Sequence, residues 1–101
     1  FPAWPHYDDG EREALMQVLD SRTWWRTPGT QTLAFEREFA AFQEARHGIA
    51  VTNGTAAIEV TLAALGIGLG DEVIVPDFTF VATASAVLFA GALPVLAAAR
   101  A

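Results

Sequence analysis

Cysteine and lysine are both missing from this chain. Zero cysteines exclude a disulfide scaffold and any thiolate metal site, and they fit a cytoplasmic protein. The six basic residues are therefore all arginine, and they are scattered along a chain of net charge −6, so no basic face forms and nucleic acid is not an expected partner. Without lysine the chain carries no side-chain amine able to form a Schiff base. Histidine is scarce as well. His6 and His47 have no second ligand at helical or turn spacing, so no metal site is expected and both read as solvated or capping residues. The first residues show neither the basic start nor the apolar core of a secretory signal, so the match of Asn53-Gly54-Thr55 to a glycosylation sequon carries no weight.

What the chain has is apolar surface: 52% of its 101 residues are hydrophobic. That length makes at most one domain, and a domain of this size buries only about two-thirds of its unfolded surface. The composition suits a piece of a larger core, whose apolar faces and strand edges would make the isolated chain associate. Residues 78–99 carry no charge and are long enough to cross a bilayer. Thr79, Thr83, Ser85, Gly91 and Pro94 interrupt them, however, and the rest is mostly alanine, without the Leu, Ile and Phe density that drives insertion. A membrane span is the weakest of the readings.

The stretch that organises the chain is Gly48–Ala64. Gly48-Ile49-Ala50-Val51-Thr52 is a short apolar run with β-branched residues and predicts a buried parallel strand. Asn53-Gly54-Thr55 breaks it, and helix formers follow from Ala56. At such a junction the backbone N–H groups near Gly54, Thr55, Ala56 and Ala57 lack intrahelical acceptors and present the positive end of the helix dipole, which suits a phosphate. Gly54 lets the backbone approach the ion, and the Thr55 hydroxyl adds a donor. The plainer alternative, that Thr52 or Asn53 simply caps a core helix, stands beside this one.

Before this junction, residues 1–7 predict an extended aromatic and proline-punctuated arm. Asp8 and Glu11 have capping-box spacing and open a predicted helix from Asp9 to Asp20, with Ala14, Leu15, Val18 and Leu19 on one face. The loop Ser21–Thr30 holds Trp24, Trp25 and Arg26, more aromatic surface than a loop needs. Packing within the protein accounts for it; the functional reading makes Trp25 and Arg26 a wall of a ligand site or a subunit contact. Phe35, Phe39 and Phe42 then mark the apolar face of a helix over residues 31–46, read as core.

After the junction, Gly66-Ile67-Gly68-Leu69-Gly70 follows a helix and precedes a strand, the reverse of a dinucleotide-binding fingerprint, and so predicts a helix C-cap and turn. Glu72–Pro76 reads as a second strand, 78–91 as a second alanine-rich helix, and Leu93–Leu96 as a third strand. A β-α-β-α-β order of apolar strands predicts an α/β fold with a mainly parallel sheet covered by helices.

With these pieces in place, the chain resembles the N-terminal quarter of the DegT/StrS-type sugar aminotransferases, fold-type I enzymes that use pyridoxal 5′-phosphate. The resemblance covers nearly the whole chain and rests on FPAWPHYDD, WWRTPG, FEREFA, the long block VTNGTAAIEVTLAALGIGLGDEVIVPDFTFVATASAV, and GALPV. It implies residues 1–30 as an arm, helix and WWR loop ahead of an incomplete cofactor-binding large domain over 31–101. It implies that Gly54, Thr55 and Ala56 cradle the cofactor phosphate and that Phe80 stacks on the pyridine ring, an arrangement that suits an aromatic face beyond the carboxyl end of a strand. It further implies a homodimer in the full-length protein, a keto sugar or related cyclic ketone as substrate, and a separate amino donor. The first two strands need not be neighbours in such a sheet. The Schiff-base lysine and the aspartate that pairs with the pyridine nitrogen belong to later parts of these enzymes, so this chain alone should be inactive. Where the family has an acidic strand end, this chain reads Ala97-Ala98-Ala99-Arg100-Ala101. A non-catalytic phosphate-binding or assembly module with the same β-α-β start is the alternative from another class.

Overall fold

The computed structural model describes residues 4–98. The beginning of the expected arm and the end of the alanine-rich tail lie outside them. Four helices and two strands follow in the order α1 (Asp9–Ser21), α2 (Gln31–Phe42), α3 (Gly54–Ala64), β1 (Glu72–Pro76), α4 (Ala82–Phe89) and β2 (Leu93–Ala97). They divide into two compact units, Phe1–Ala50 and Val51–Ala101.

In the first unit, α1 opens on the expected capping box: Asp8 accepts the Gly10 N–H, and the Asp8 N–H donates to Glu11 at 2.7 Å. It buries no residue. Helix α2 stops at Phe42, four residues before the expected end, because Glu44 turns left-handed (φ 53°). The N–H groups of Gln43, Glu44 and Ala45 fold back onto the carbonyls of Phe39, Ala41 and Ala40, at 3.0, 3.1 and 2.8 Å, and close the helix. The phenylalanine stripe expected in the core is not there. Phe35, Phe39 and Phe42 are exposed, the first two stacked on each other with ring centroids 5.5 Å apart, and the buried face is Glu36 and Ala40. That face is set by the returning segment, which passes so close that a side chain at Gly48 would meet the Glu36 carbonyl oxygen at 2.5 Å.

The first expected strand is also corrected. Residues 48–52 form no ladder with another segment among the described residues, and Ile49 is largely exposed. A strand exists through its hydrogen-bonded neighbour, and this run has none there.

The second unit is built around the parallel pair β1 and β2, in the register Glu72 to Leu93 through Pro76 to Ala97. Helix α4 is the crossover between them, and α3 packs on α4. The core consists of Leu62 on α3, Val75 on β1, Val87 on α4, and Ala92. The glycine turn ends α3 as expected. Gly66 takes φ +72°, its N–H reaches Ala63 O at 3.0 Å, and the Ile67 N–H reaches Leu62 O at 3.0 Å. Helix α4 starts at Ala82 rather than Phe78, because Asp77-Phe78-Thr79 bends away from β1 and the Phe80 carbonyl first closes a turn with the Thr83 N–H. No helix among the described residues is long and apolar enough to cross a membrane.

Candidate functional site: the start of helix α3 and the loop after β1

Asn53 governs the first turn of α3. Its extended backbone (φ −167°, ψ 171°) places Oδ1 2.9 Å from the Ala56 N–H, and its carbonyl accepts the Ala57 N–H at 3.1 Å. Of the two capping residues named from sequence, Asn53 is the cap. This leaves the N–H groups of Gly54 and Thr55 without a partner among the described residues, at the positive end of the helix. Gly54 is helical rather than left-handed, and a Cβ built on it meets nothing within 4 Å. The fold therefore does not demand glycine there, and the space beside the two free donors stays open. Two N–H groups and the Thr55 hydroxyl form a donor set that suits a phosphate.

Phe80 lies in the loop between β1 and α4, 77% exposed, two residues after the still more exposed Phe78. The loop is held by the Thr83 N–H on Phe80 O at 3.0 Å, a contact of 3.0 Å between the Thr79 and Thr83 hydroxyls, and the Asp77 N–H on Ala97 O at 2.9 Å. Anchored at both ends, it presents the Phe80 ring beyond the carboxyl end of β1.

In the first unit, Trp25 is 61% exposed and its carbonyl accepts the Gly29 N–H at 3.1 Å. The indole N–H of Trp24 is tied to Leu19 O at 3.1 Å. Arg26 has a partner that sequence reasoning missed. Its Nε and Nη2 donate to the two carboxylate oxygens of Glu36 at 3.2 and 2.9 Å, and Glu36 Oε1 also accepts the Ala50 N–H at 3.0 Å. The guanidinium first, then the Ala50 N–H, hold the Glu36 carboxyl below its ordinary range against the opposing effect of burial, and Glu36 raises Arg26 in turn. The only sequence signal for Glu36 was its place one helical turn before Ala40, on a face less apolar than the phenylalanine stripe.

A capped helix start followed by a parallel βαβ unit defines an α/β protein. A model of the DegT/DnrJ/EryC1/StrS aminotransferase family matches residues 5–100. The chain belongs to that family. It is 52% identical over 95 residues to 3-amino-5-hydroxybenzoate synthase of Amycolatopsis mediterranei, which covers 94% of this chain and 24% of that protein. The crystal structure of a 3-amino-5-hydroxybenzoic acid synthase superposes with a TM-score of 0.86 at 51% identity, over 95% of this chain and 25% of the other. A protein described as a sugar aminotransferase from Streptococcus pneumoniae, in its PLP form, superposes with a TM-score of 0.79 at 34% identity, over 91% and 23%. The chain thus spans about a quarter of the length of the relatives it matches. The α/β class and the relation to the PLP-transferase large domain hold.

Proposed function

We propose that this chain forms the phosphate-anchoring and ring-stacking part of a pyridoxal 5′-phosphate-dependent aminotransferase that passes an amino group to a keto sugar or related cyclic ketone. The observation that carries this reading is the start of α3, where two unpaired N–H groups and the Thr55 hydroxyl adjoin the open space at Gly54. Support comes from relatives whose names describe an aminohydroxybenzoate synthase and a sugar aminotransferase with a PLP form. When bound, the cofactor supplies the electron sink for moving an amino group. The residues of this chain bind and orient it. Gly54 and Thr55 would donate to the phosphate, the Ala56 N–H is taken by its Asn53 cap at 2.9 Å, and Phe80 would offer its face to the ring. No lysine is present among the 101 residues, so the Schiff-base residue and the aspartate facing the ring nitrogen come from elsewhere in the enzyme, and this chain alone is inert. Trp25 is the substrate or subunit contact of a cytoplasmic homodimer; Arg26 serves it from its anchored position on Glu36.

Equilibrium dialysis of pyridoxal 5′-phosphate against a protein that includes the lysine tests the reading. Phe80→Ala weakens retention by a stacking contribution of about 0.5–1.5 kcal/mol beyond lost area. Gly54→Val weakens it more, and because a Cβ there meets nothing, the loss comes from the ligand rather than the fold. Equal retention by the parent and both variants reduces the junction to a capped helix.

A further inference from the structure

The loop between α1 and α2 ties down its two tryptophans unequally. At its start the Ser21 hydroxyl donates to Val18 O at 2.7 Å and accepts the Thr23 N–H at 3.1 Å, which holds the chain against the end of α1. Trp24 follows with its indole N–H on Leu19 O at 3.1 Å. Beyond Trp25, both prongs of Arg26 rest on Glu36, and the Gly29 N–H closes onto the Trp25 carbonyl at 3.1 Å. Between these ties the Trp25 side chain is left over: it is 61% exposed, and its indole N–H has no partner among the described residues.

The plain account of Arg26 is that a buried carboxylate needs a counter-charge. That explains the Glu36 side of the pair, not the side that faces water. The Arg26 side chain is 58% exposed, and free in solvent it would sample many rotamers. Two parallel contacts fix a planar fork in one orientation, which a single ammonium contact does not do. They also occupy Nε and Nη2, an edge with which an arginine could otherwise grip a ligand's carboxylate or phosphate. Arg26 therefore acts on the loop, and its untied neighbour Trp25 is what the loop presents. A tryptophan on a pre-set backbone loses less loop entropy when a partner packs on its face.

We propose that Glu36 is a positioning residue: through Arg26 it fixes the loop backbone that aims Trp25 at its contact, and Arg26 itself touches neither substrate nor partner subunit. The inference rests on the reading of Trp25 as a contact and adds the residue that aims it.

Time-resolved fluorescence anisotropy on two single-tryptophan proteins tests it. In Trp4→Phe/Trp24→Phe only Trp25 emits; in Trp4→Phe/Trp25→Phe only Trp24 does. Glu36→Gln keeps an oxygen for the Ala50 N–H but loses the charge and one prong of the pair. It lowers the residual anisotropy of Trp25 and leaves that of Trp24, held by Leu19 O, unchanged. Arg26→Ala does the same, and the double variant Glu36→Gln/Arg26→Ala adds nothing further, as two residues acting as one device require. Arg26→Lys, a point charge without the fork, keeps only part of the order. A Trp25 anisotropy unmoved by Glu36→Gln overturns the proposal. So does an equal fall at Trp24, which marks general loosening of this unit, or a double variant in which the two single effects add. Where a tryptophan substitution prevents folding, the indole N–H signals of isotope-labelled tryptophan in the otherwise native chain report the same order through their heteronuclear NOE. Dialysis with pyridoxal 5′-phosphate decides the aminotransferase reading separately, since a protein that fails to retain the cofactor can still show Trp25 ordered by Glu36.

Discussion

Arg26 and Glu36, ten residues apart, meet as a two-pronged ion pair, Nε to Oε1 at 3.2 Å and Nη2 to Oε2 at 2.9 Å. One carboxylate thereby joins three segments, since it also holds the Ala50 N–H. The tryptophan loop, α2 and the run toward α3 share a single polar anchor, 8% exposed.

The pair makes a pH prediction with a definite sign. The Glu36 carboxyl titrates below its ordinary value of 4.5 when folded, so its contribution is complete above the unfolded value and disappears as pH falls through the folded one. The melting temperature should drop on acidification from about pH 5, a value just above the ordinary glutamate range. Glu36→Gln should flatten that acid limb while lowering stability at pH 7, and Glu36→Ala should cost more because it also strands the Ala50 N–H. Melts of the three proteins from pH 3 to 7 check this; parallel acid limbs would count against the pair.

Much of this architecture was legible in the residues, for reasons that differ by element. The capping box at Asp8 and Glu11 and the glycine turn after α3 are local chemistry, and local chemistry survives in the fold. The strands Glu72–Pro76 and Leu93–Ala97 were readable because their apolar runs pair with each other within the chain. The run at Ile49 and the stripe at Phe35, Phe39 and Phe42 were not, because their apolar character reports what they can pack against rather than what lies beside them here. Glu36 was hidden because its partner is fixed by tertiary approach at Gly48, for which periodicity has no signal.

The core of the second unit predicts an asymmetry between two leucines. Leu62 is 7% exposed within the cluster of Val75, Val87 and Ala92, whereas Leu69 is 96% exposed. Leu62→Ala should cost about 2–5 kcal/mol in urea unfolding. Leu69→Ala should stay within about 0.5 kcal/mol. Equal costs would mean that the cluster is not what holds this unit together.

Gly29 makes a local prediction for the tryptophan loop. A Cβ there collides with the Trp25 carbonyl oxygen and comes within 3.0 Å of the Thr23 carbonyl oxygen, both backbone atoms that cannot swing away. Gly29→Ala should open the turn closed by the Gly29 N–H and shift tryptophan emission. Gly54→Ala, which meets nothing, should leave the emission unchanged.

Asn53 separates capping from anion binding. Replacing it with alanine removes the acceptor for the Ala56 N–H and should cost about 0.5–2 kcal/mol of stability. Aspartate caps as well as asparagine and interacts favourably with the helix dipole, so Asn53→Asp should be as stable as the parent or slightly more so. Binding should run the other way. The aspartate places a negative charge beside the Gly54 and Thr55 N–H groups and repels a phosphate, whereas alanine frees the Ala56 N–H as an additional donor. Urea unfolding and dialysis with pyridoxal 5′-phosphate, run on the same two variants, should therefore rank them in opposite orders. If Asn53→Asp retains the cofactor as well as the parent does, no anion sits at the start of α3, and Asn53 is a helix cap and nothing more.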